Sequence, residues 1–188
     1  VHLYGRPCNM SSILDIAKRK NVILIEDSAQ AHGAQHKSKK VGSFGEAAIF
    51  SFYPTKNMTV GGDGGMITTN SKKICESALK MRDVGRKTKY THDEIGYTLR
   101  LNSVNAAIGK IQLQHLDEWN AKRRSIAKAY RNKLTGIGDL IMPPGDEPYD
   151  ESVYHLFVLR TQKRDLLGLW LSKNGVSTGV HYPIPVHR

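Results

Sequence analysis

Val22-Ile23-Leu24-Ile25 is an unbroken apolar run that ends on Glu26-Asp27-Ser28-Ala29-Gln30. A run without polar alternation is the pattern of a strand buried on both faces, and such strands belong to parallel sheets covered by helices. The neighbouring segments agree with an α/β arrangement. Ile13, Ile16 and Ala17 recur at helical spacing, so a helix is predicted over 12–20, capped by Asn9 or Ser11. Residues 47–52 and 66–69 read as two further strands, and a helix opens at Asn70 or Ser71 and runs to about residue 82.

The second half reads differently. Ser103 is the expected cap of a long helical stretch through Val104, Ala107, Ile108, Ile111 and Leu116, and helical spacing resumes from Asn120 through Ile126, Ala129 and Tyr130. Met142-Pro143-Pro144-Gly145-Asp146-Glu147-Pro148 is a loop. A strand over 153–159, a helix over 164–173 closed by Asn174-Gly175, and a last strand over 176–182 complete a smaller α+β unit. The chain opens on Val1 rather than Met and stops on Val186-His187-Arg188 directly after a predicted strand. A piece of a longer protein is the expectation.

Charge narrows the partners. The 188 residues carry 28 Lys+Arg against 17 Asp+Glu, a net charge of +11. Such a surplus suits nucleic acid or phosphorylated ligands equally. The basic residues are scattered, as in Lys37-Ser38-Lys39-Lys40, Lys72-Lys73, Arg86-Lys87 and Lys122-Arg123-Arg124, with no interleaved aromatic stripe. They read as a solvated basic surface, and no nucleic-acid partner is expected. No apolar run approaches the roughly 20 residues that span a bilayer, so no membrane is expected either. Cys8 and Cys75 alone cannot build a disulfide framework or a cysteine-rich zinc module. No metal site is expected, and a reducing, cytoplasmic setting is.

Two places break the ordinary pattern. Asp27 directly follows the apolar strand, and ligands of open α/β sheets bind beyond the carboxyl ends of the strands. A turn or helix-cap role is the alternative for this residue. The second place is Phe50-Ser51-Phe52-Tyr53-Pro54-Thr55-Lys56-Asn57, followed by Gly61-Gly62-Asp63-Gly64-Gly65. A strand delivers Ser51, Pro54 stiffens a turn, and Lys56 sits between that turn and the glycine-rich loop. A lysine is most often a surface residue, but desolvation at such a position lowers its pKa and frees the amine as a nucleophile for a Schiff base. No Gly-Lys-Ser/Thr closes the loop, so it is not a Walker motif. A carboxylate after a buried strand and a lysine some thirty residues later are what pyridoxal phosphate requires: one protonates the pyridine nitrogen, the other holds the aldehyde.

The stretches VHLYGRP, IEDSAQAHGA, VGSFGEAAIFSFYPTKN, GGDGGM, RLNSVNAAIGKIQLQHLDEW and GVHYPIPVH resemble, in this order, the DegT/StrS-type (DegT/DnrJ/EryC/StrS) sugar aminotransferases. The resemblance implies a fold-type-I, aspartate-aminotransferase-like transferase. Residues 1–118 would be the later portion of its large α/β domain, and 119–188 part of its small α+β domain. It implies pyridoxal 5'-phosphate as cofactor, a nucleotide-linked keto-sugar as substrate, L-glutamate as amino donor and a homodimer with shared sites. Lys56 matches the Schiff-base lysine and proton carrier, Asp27 the acid on the pyridine nitrogen, Gln30 the donor to the phenolic oxygen and Ser51 a hydroxyl donor to the phosphate. His181 and Tyr182 match a motif that approaches the substrate. His32 reads either as a cofactor neighbour or as a packed core histidine. Thr98 stands where the family often has Asn, a residue that reaches the partner's cofactor phosphate. The phosphate-binding turn and the ring-stacking aromatic would lie upstream of Val1. Sugar dehydratases of this fold carry a histidine in place of the lysine, so Lys56 argues against that alternative. A non-catalytic regulator of the same fold is the other.

Overall fold

The computed structural model describes residues 1–185 and 187–188, so Val186 of the last motif lies outside the described residues. A single 3-10 turn, Leu3–Gly5, leads into α1 (Met10–Lys20). Then come β1 (Ile25–Asp27), β2 (Gln35–His36), β3 (Lys39–Lys40), β4 (Ala47–Ser51), β5 (Gly65–Thr68) and α2 (Lys72–Met81). They are followed by β6 (Arg86–Thr88), β7 (Thr91–His92), α3 (Ser103–Leu134), β8 (Asp150–Glu151) and α4 (Arg164–Lys173).

Side-chain caps choose the helix starts. Asn9 accepts from the Ser12 amide at 3.1 Å and Ser71 accepts from the Ile74 amide at 3.4 Å. For α3 the cap is Asn102, which accepts from the Asn105 amide at 2.8 Å, and Ser103 is already helical. The two helical stretches expected around 103–116 and from 120 onward are one continuous helix.

The chain divides into two compact units, Val1–Ile126 with Asp146–Leu156, and Ala127–Gly145 with Phe157–Arg188. This differs from the division expected after residue 118: the first unit extends further along α3 and takes back the 146–156 segment. The reason is hydrogen bonding. β8 pairs with β2, His36 Nδ1 meets Asp150 Oδ1 at 2.7 Å, and the Val153 amide donates to Gly5 O at 2.8 Å. In the second unit, Ile141 and Arg160 form an isolated bridge, Tyr130 stacks on Phe157 at 5.3 Å, and α4 spans 164–173 as expected.

In the first unit, one sheet has the order β1-β4-β5, with β1 parallel to β4 and β5 antiparallel to it. Phe52, Met58, Val60 and Leu116 form one buried cluster beside it, and Ala31, Ala34, Val41 and Val153 form another. The strands expected at 153–159 and 176–182 are not formed, because extended apolar residues become a strand only beside a partner. The amides of Val153 and Leu156 instead bond singly to Gly5 and Tyr4. The apolar run also departs from expectation. It joins the sheet only from Ile25, and Ile23 and Ile25 remain 77% and 64% exposed. The pattern specifies a face that wants covering, and no layer of this unit covers it.

Glu26 is the most heavily bonded side chain of the sheet. It is 3% exposed and accepts from the Gly42, Phe44 and Gly45 amides at 2.8, 2.6 and 2.8 Å, and it meets His2 Nε2 at 3.1 Å. Burial works to raise its pKa, but the His2 and backbone bonds outweigh it and hold the carboxyl at about 2. A folded pKa below the ordinary 4.5 contributes stability above that value, and the contribution is lost as pH falls toward about 2. Glu26→Gln is therefore expected to cost about 2 kcal/mol at neutral pH. It should also flatten the loss of stability in that acid window. Urea unfolding at several pH values measures both; an unchanged acid slope would refute the clamp.

Candidate active site

Parallel pairing aligns the carboxyl ends of β1 and β4. Asp27 lies opposite Ile49, and the Ser28 amide donates to Ile49 O at 2.9 Å just beyond the strand. Ser51 ends β4 two residues further along. Half-buried Asp27 turns one oxygen, Oδ1, to the Ala29 amide at 3.0 Å, so the turn role expected of it is present. Ser51 Oγ accepts from the Tyr53 amide at 3.2 Å, a bond that does not use its own O–H.

Gln30 is buried, and its Oε1 accepts from the Tyr4 amide at 2.7 Å. The VHLYGRP segment thus braces the site from behind. His2 N donates to Asp27 O at 2.9 Å, and Gly5 passes so close that a Cβ there would come within 2.8 Å of the His155 amide and 3.0 Å of Gln30 O. With its φ of +89°, Gly5 is required twice over.

Lys56 closes a turn whose second residue is Pro54, its amide donating to Tyr53 O at 2.9 Å. The side chain is half-buried. Burial lowers its pKa and the Asp27 charge partly restores it, with a net shift below the ordinary lysine value. The Asp27 charge therefore acts on the amine of Lys56, the other residue singled out in sequence. His32 is 3% exposed, with its ring 5.3 Å from Phe50 and 6.0 Å from Phe52. Burial lowers its pKa to about 4, while the nearby Ser51 backbone raises it and the Lys56 charge lowers it. Neither ring nitrogen has a hydrogen bond of ordinary geometry among the described residues, so at neutral pH His32 is an uncharged, packed imidazole. The glycine loop packs on the protein itself: a Cβ on Gly64 would meet Val60 at 2.9 Å and Leu101 at 3.1 Å.

Thr98 is not drawn into this group. It is exposed, bridges to Asp83, and makes no hydrogen bond with Asp27, Ser51 or Lys56 among the described residues. His181 and Tyr182 belong to the second unit, their rings 5.3 Å apart edge to face. Asn57 and Asn120, at 6% and 1% exposure, escaped the sequence reading. The available signal was Asn120 itself, a polar residue one helical turn after the buried Leu116.

A carboxylate and a hydroxyl at the carboxyl ends of the parallel pair β1 and β4, with a shifted lysine in the turn that follows, stand where open α/β sheets take their ligands. The DegT/DnrJ/EryC1/StrS aminotransferase family matches residues 1–188, and the chain belongs to that family. It is 42% identical to the erythromycin biosynthesis sensory transduction protein EryC1 of Saccharopolyspora erythraea, over 100% of this chain and 51% of the relative. It is 40% identical to the dTDP-3-amino-3,4,6-trideoxy-alpha-D-glucose transaminase of Streptomyces venezuelae, over 100% of this chain and 49% of the relative. Among solved structures, S. venezuelae DesV in complex with a ketimine intermediate superposes with a TM-score of 0.94 at 40% identity, covering 99% of this chain and 50% of that one. The fold is that of the aminotransferase family, as the resemblance implied. The chain spans about half the length of these relatives.

The Asp27–Lys56 coupling has a sign. The rate at which an amine reagent labels Lys56, followed by peptide mass spectrometry in cofactor-free protein, should reach its midpoint below the ordinary lysine range. Asp27→Asn removes the charge that raises the pKa, so the midpoint should fall further. A rise would contradict the coupling.

Proposed function

We propose that this chain is part of a pyridoxal-phosphate-dependent aminotransferase that moves an amino group from L-glutamate to a nucleotide-linked keto-sugar. The observation that carries this reading is the carboxyl edge of β1 and β4, where Asp27 and Ser51 end adjacent parallel strands and the electrostatically coupled Lys56 follows. The donor set fits the cofactor: a carboxylate for a pyridinium, an amine held below its ordinary pKa, an amide donor and a hydroxyl donor. Bound pyridoxal phosphate supplies an aldehyde to carry the amino group and a ring to take up electrons. Lys56 Nζ holds the cofactor and moves a proton as general base. Asp27 keeps the proton on the pyridine nitrogen, the Gln30 NH2 donates to the phenolic oxygen, and the Ser51 O–H donates to the phosphate. His181 and Tyr182 serve the sugar side. Relatives named as transaminases of dTDP- and UDP-linked sugars support the substrate class.

The working unit in this reading is a cytoplasmic homodimer in which Thr98 of one protomer donates to the partner's cofactor phosphate. Both cysteines are free, which fits a reducing setting. One relative is named a pleiotropic regulatory protein, but a non-catalytic regulator is disfavoured here by the joint presence of Asp27, Gln30, Ser51 and Lys56.

Lys56→Ala should abolish both borohydride-trapped cofactor and transamination. Covalent trapping that survives in that variant would move the attachment elsewhere and sink the assignment. Asp27→Asn should still bind cofactor, more weakly, with turnover reduced by about 10²-fold or more. The shared site has its own check: Thr98→Val should weaken cofactor retention while Thr98→Asn preserves or strengthens it. Equal retention in wild type and Thr98→Val would remove Thr98 from the phosphate.

A further inference from the structure

Asn57 directly follows Lys56 and is buried, and its Nδ2 donates to Asn120 Oδ1 at 3.0 Å and to Val153 O at 2.9 Å. Asn120, on the buried side of α3, donates its own Nδ2 to His32 O at 2.8 Å. Two amides thus tie the turn that carries Lys56 to the segment that carries Gln30. The backbone makes room for them: a Cβ on Gly33 would stand 2.8 Å from Asn120 Nδ2, and Gly33 has a φ of +85°. One atom, Asn57 Oδ1, is buried without a hydrogen-bond partner. The bridge also satisfies two buried backbone carbonyls, Val153 O and His32 O, so its loss costs stability as well as geometry. Its geometry is what an apolar pair could not supply.

We infer that Asn57 and Asn120 are positioning residues that set where Lys56 projects relative to the Gln30 segment. Lys56 is then held on both sides, by its own amide in the Tyr53 turn and by the side chain of the next residue. Its backbone is thus fixed, and the region the amine can reach is set by its side-chain torsions alone. The inference rests on the assignment of Lys56 as the cofactor lysine, and it concerns that residue's backbone, not its chemistry.

The test uses the intact protein with Asn57→Leu, Asn120→Asp and the double variant Asn57→Leu/Asn120→Leu. Asn120→Asp keeps the acceptor for Asn57 but loses the donor to His32 O. Three readouts are needed: thermal unfolding and pH-dependent amine labelling of Lys56, both without cofactor, and kcat with KM for the amino donor. Asn57→Leu and the double variant should shift the labelling midpoint of Lys56 and lower kcat by about 10²-fold, the scale of a misplacement near 1 Å. The KM should stay within about twofold, since the substrate contacts are untouched. The double variant orphans Val153 O and His32 O and should unfold at a lower temperature than wild type, so labelling and kcat are read well below its transition, where a fold defect cannot mimic the result. Asn120→Asp should fall between. Normal labelling and kcat in a folded double variant would overturn the inference, leaving the bridge as packing alone. If wild type shows no transamination but the labelling still shifts, the functional reading fails and the positioning role stands. Should Asn57→Leu and the double variant both fail to fold, a normal labelling profile in Asn120→Asp would overturn it equally.

Discussion

The Glu26 carboxylate is the interaction on which the rest of the first unit depends. A strand of three residues has little ladder with which to hold its register. Glu26 supplies the constraint from the side, because one charged group takes three amides of the 42–45 loop and the ring of His2. That loop leads directly into β4, so the clamp sets how far β4 runs past β1. Side chains alternate along a strand, and Glu26 pointing inward turns Asp27 the other way. Burying a charge is costly unless its hydrogen bonds are met, and here both oxygens are occupied.

On the opposite side the electrostatics are left unbalanced. Lys56 is half-buried and feels Asp27 without forming an ion pair with it. A closer pair would raise the lysine pKa back toward its ordinary value. His32 contributes by remaining neutral. A charged imidazole between Phe50 and Phe52 would be both desolvated and repelled by Lys56, and each effect pushes its proton off. The histidine is thus a packed core residue whose lack of charge suits the neighbouring amine.

What was legible in the sequence were the groups whose chemistry is rare where they stand. Asp27 beyond an apolar strand and Lys56 near a proline turn and a glycine loop are unusual positions; Asp27 ends β1, and Lys56 closes the turn that follows β4. Helices with strong caps were legible too, although Ser103 lost its role to Asn102 because neighbouring cap-forming residues compete and only tertiary fit decides. The strands at 153–159 and 176–182 were not, since a strand depends on its neighbour as much as on its own residues. The return of 146–156 to the first unit was hidden for a similar reason: His36–Asp150 and Gln35–Glu151 are contacts across more than a hundred positions. Glu26 lay in view beside Asp27, yet a glutamate on a strand carries no mark of how many amides will point at it.

These features divide the labour by pH. Glu26, held at about 2, stays charged throughout the neutral range, and His32, held at about 4, stays uncharged. Neither gains or loses a proton where an amine with a lowered pKa does. The clamp and the packed ring therefore keep the strand ends in place while Lys56 changes its protonation. The Asn57–Asn120 bridge extends the same logic, because carboxamides do not titrate at all. A site that must move a proton at one nitrogen is held by groups whose own protons stay where they are.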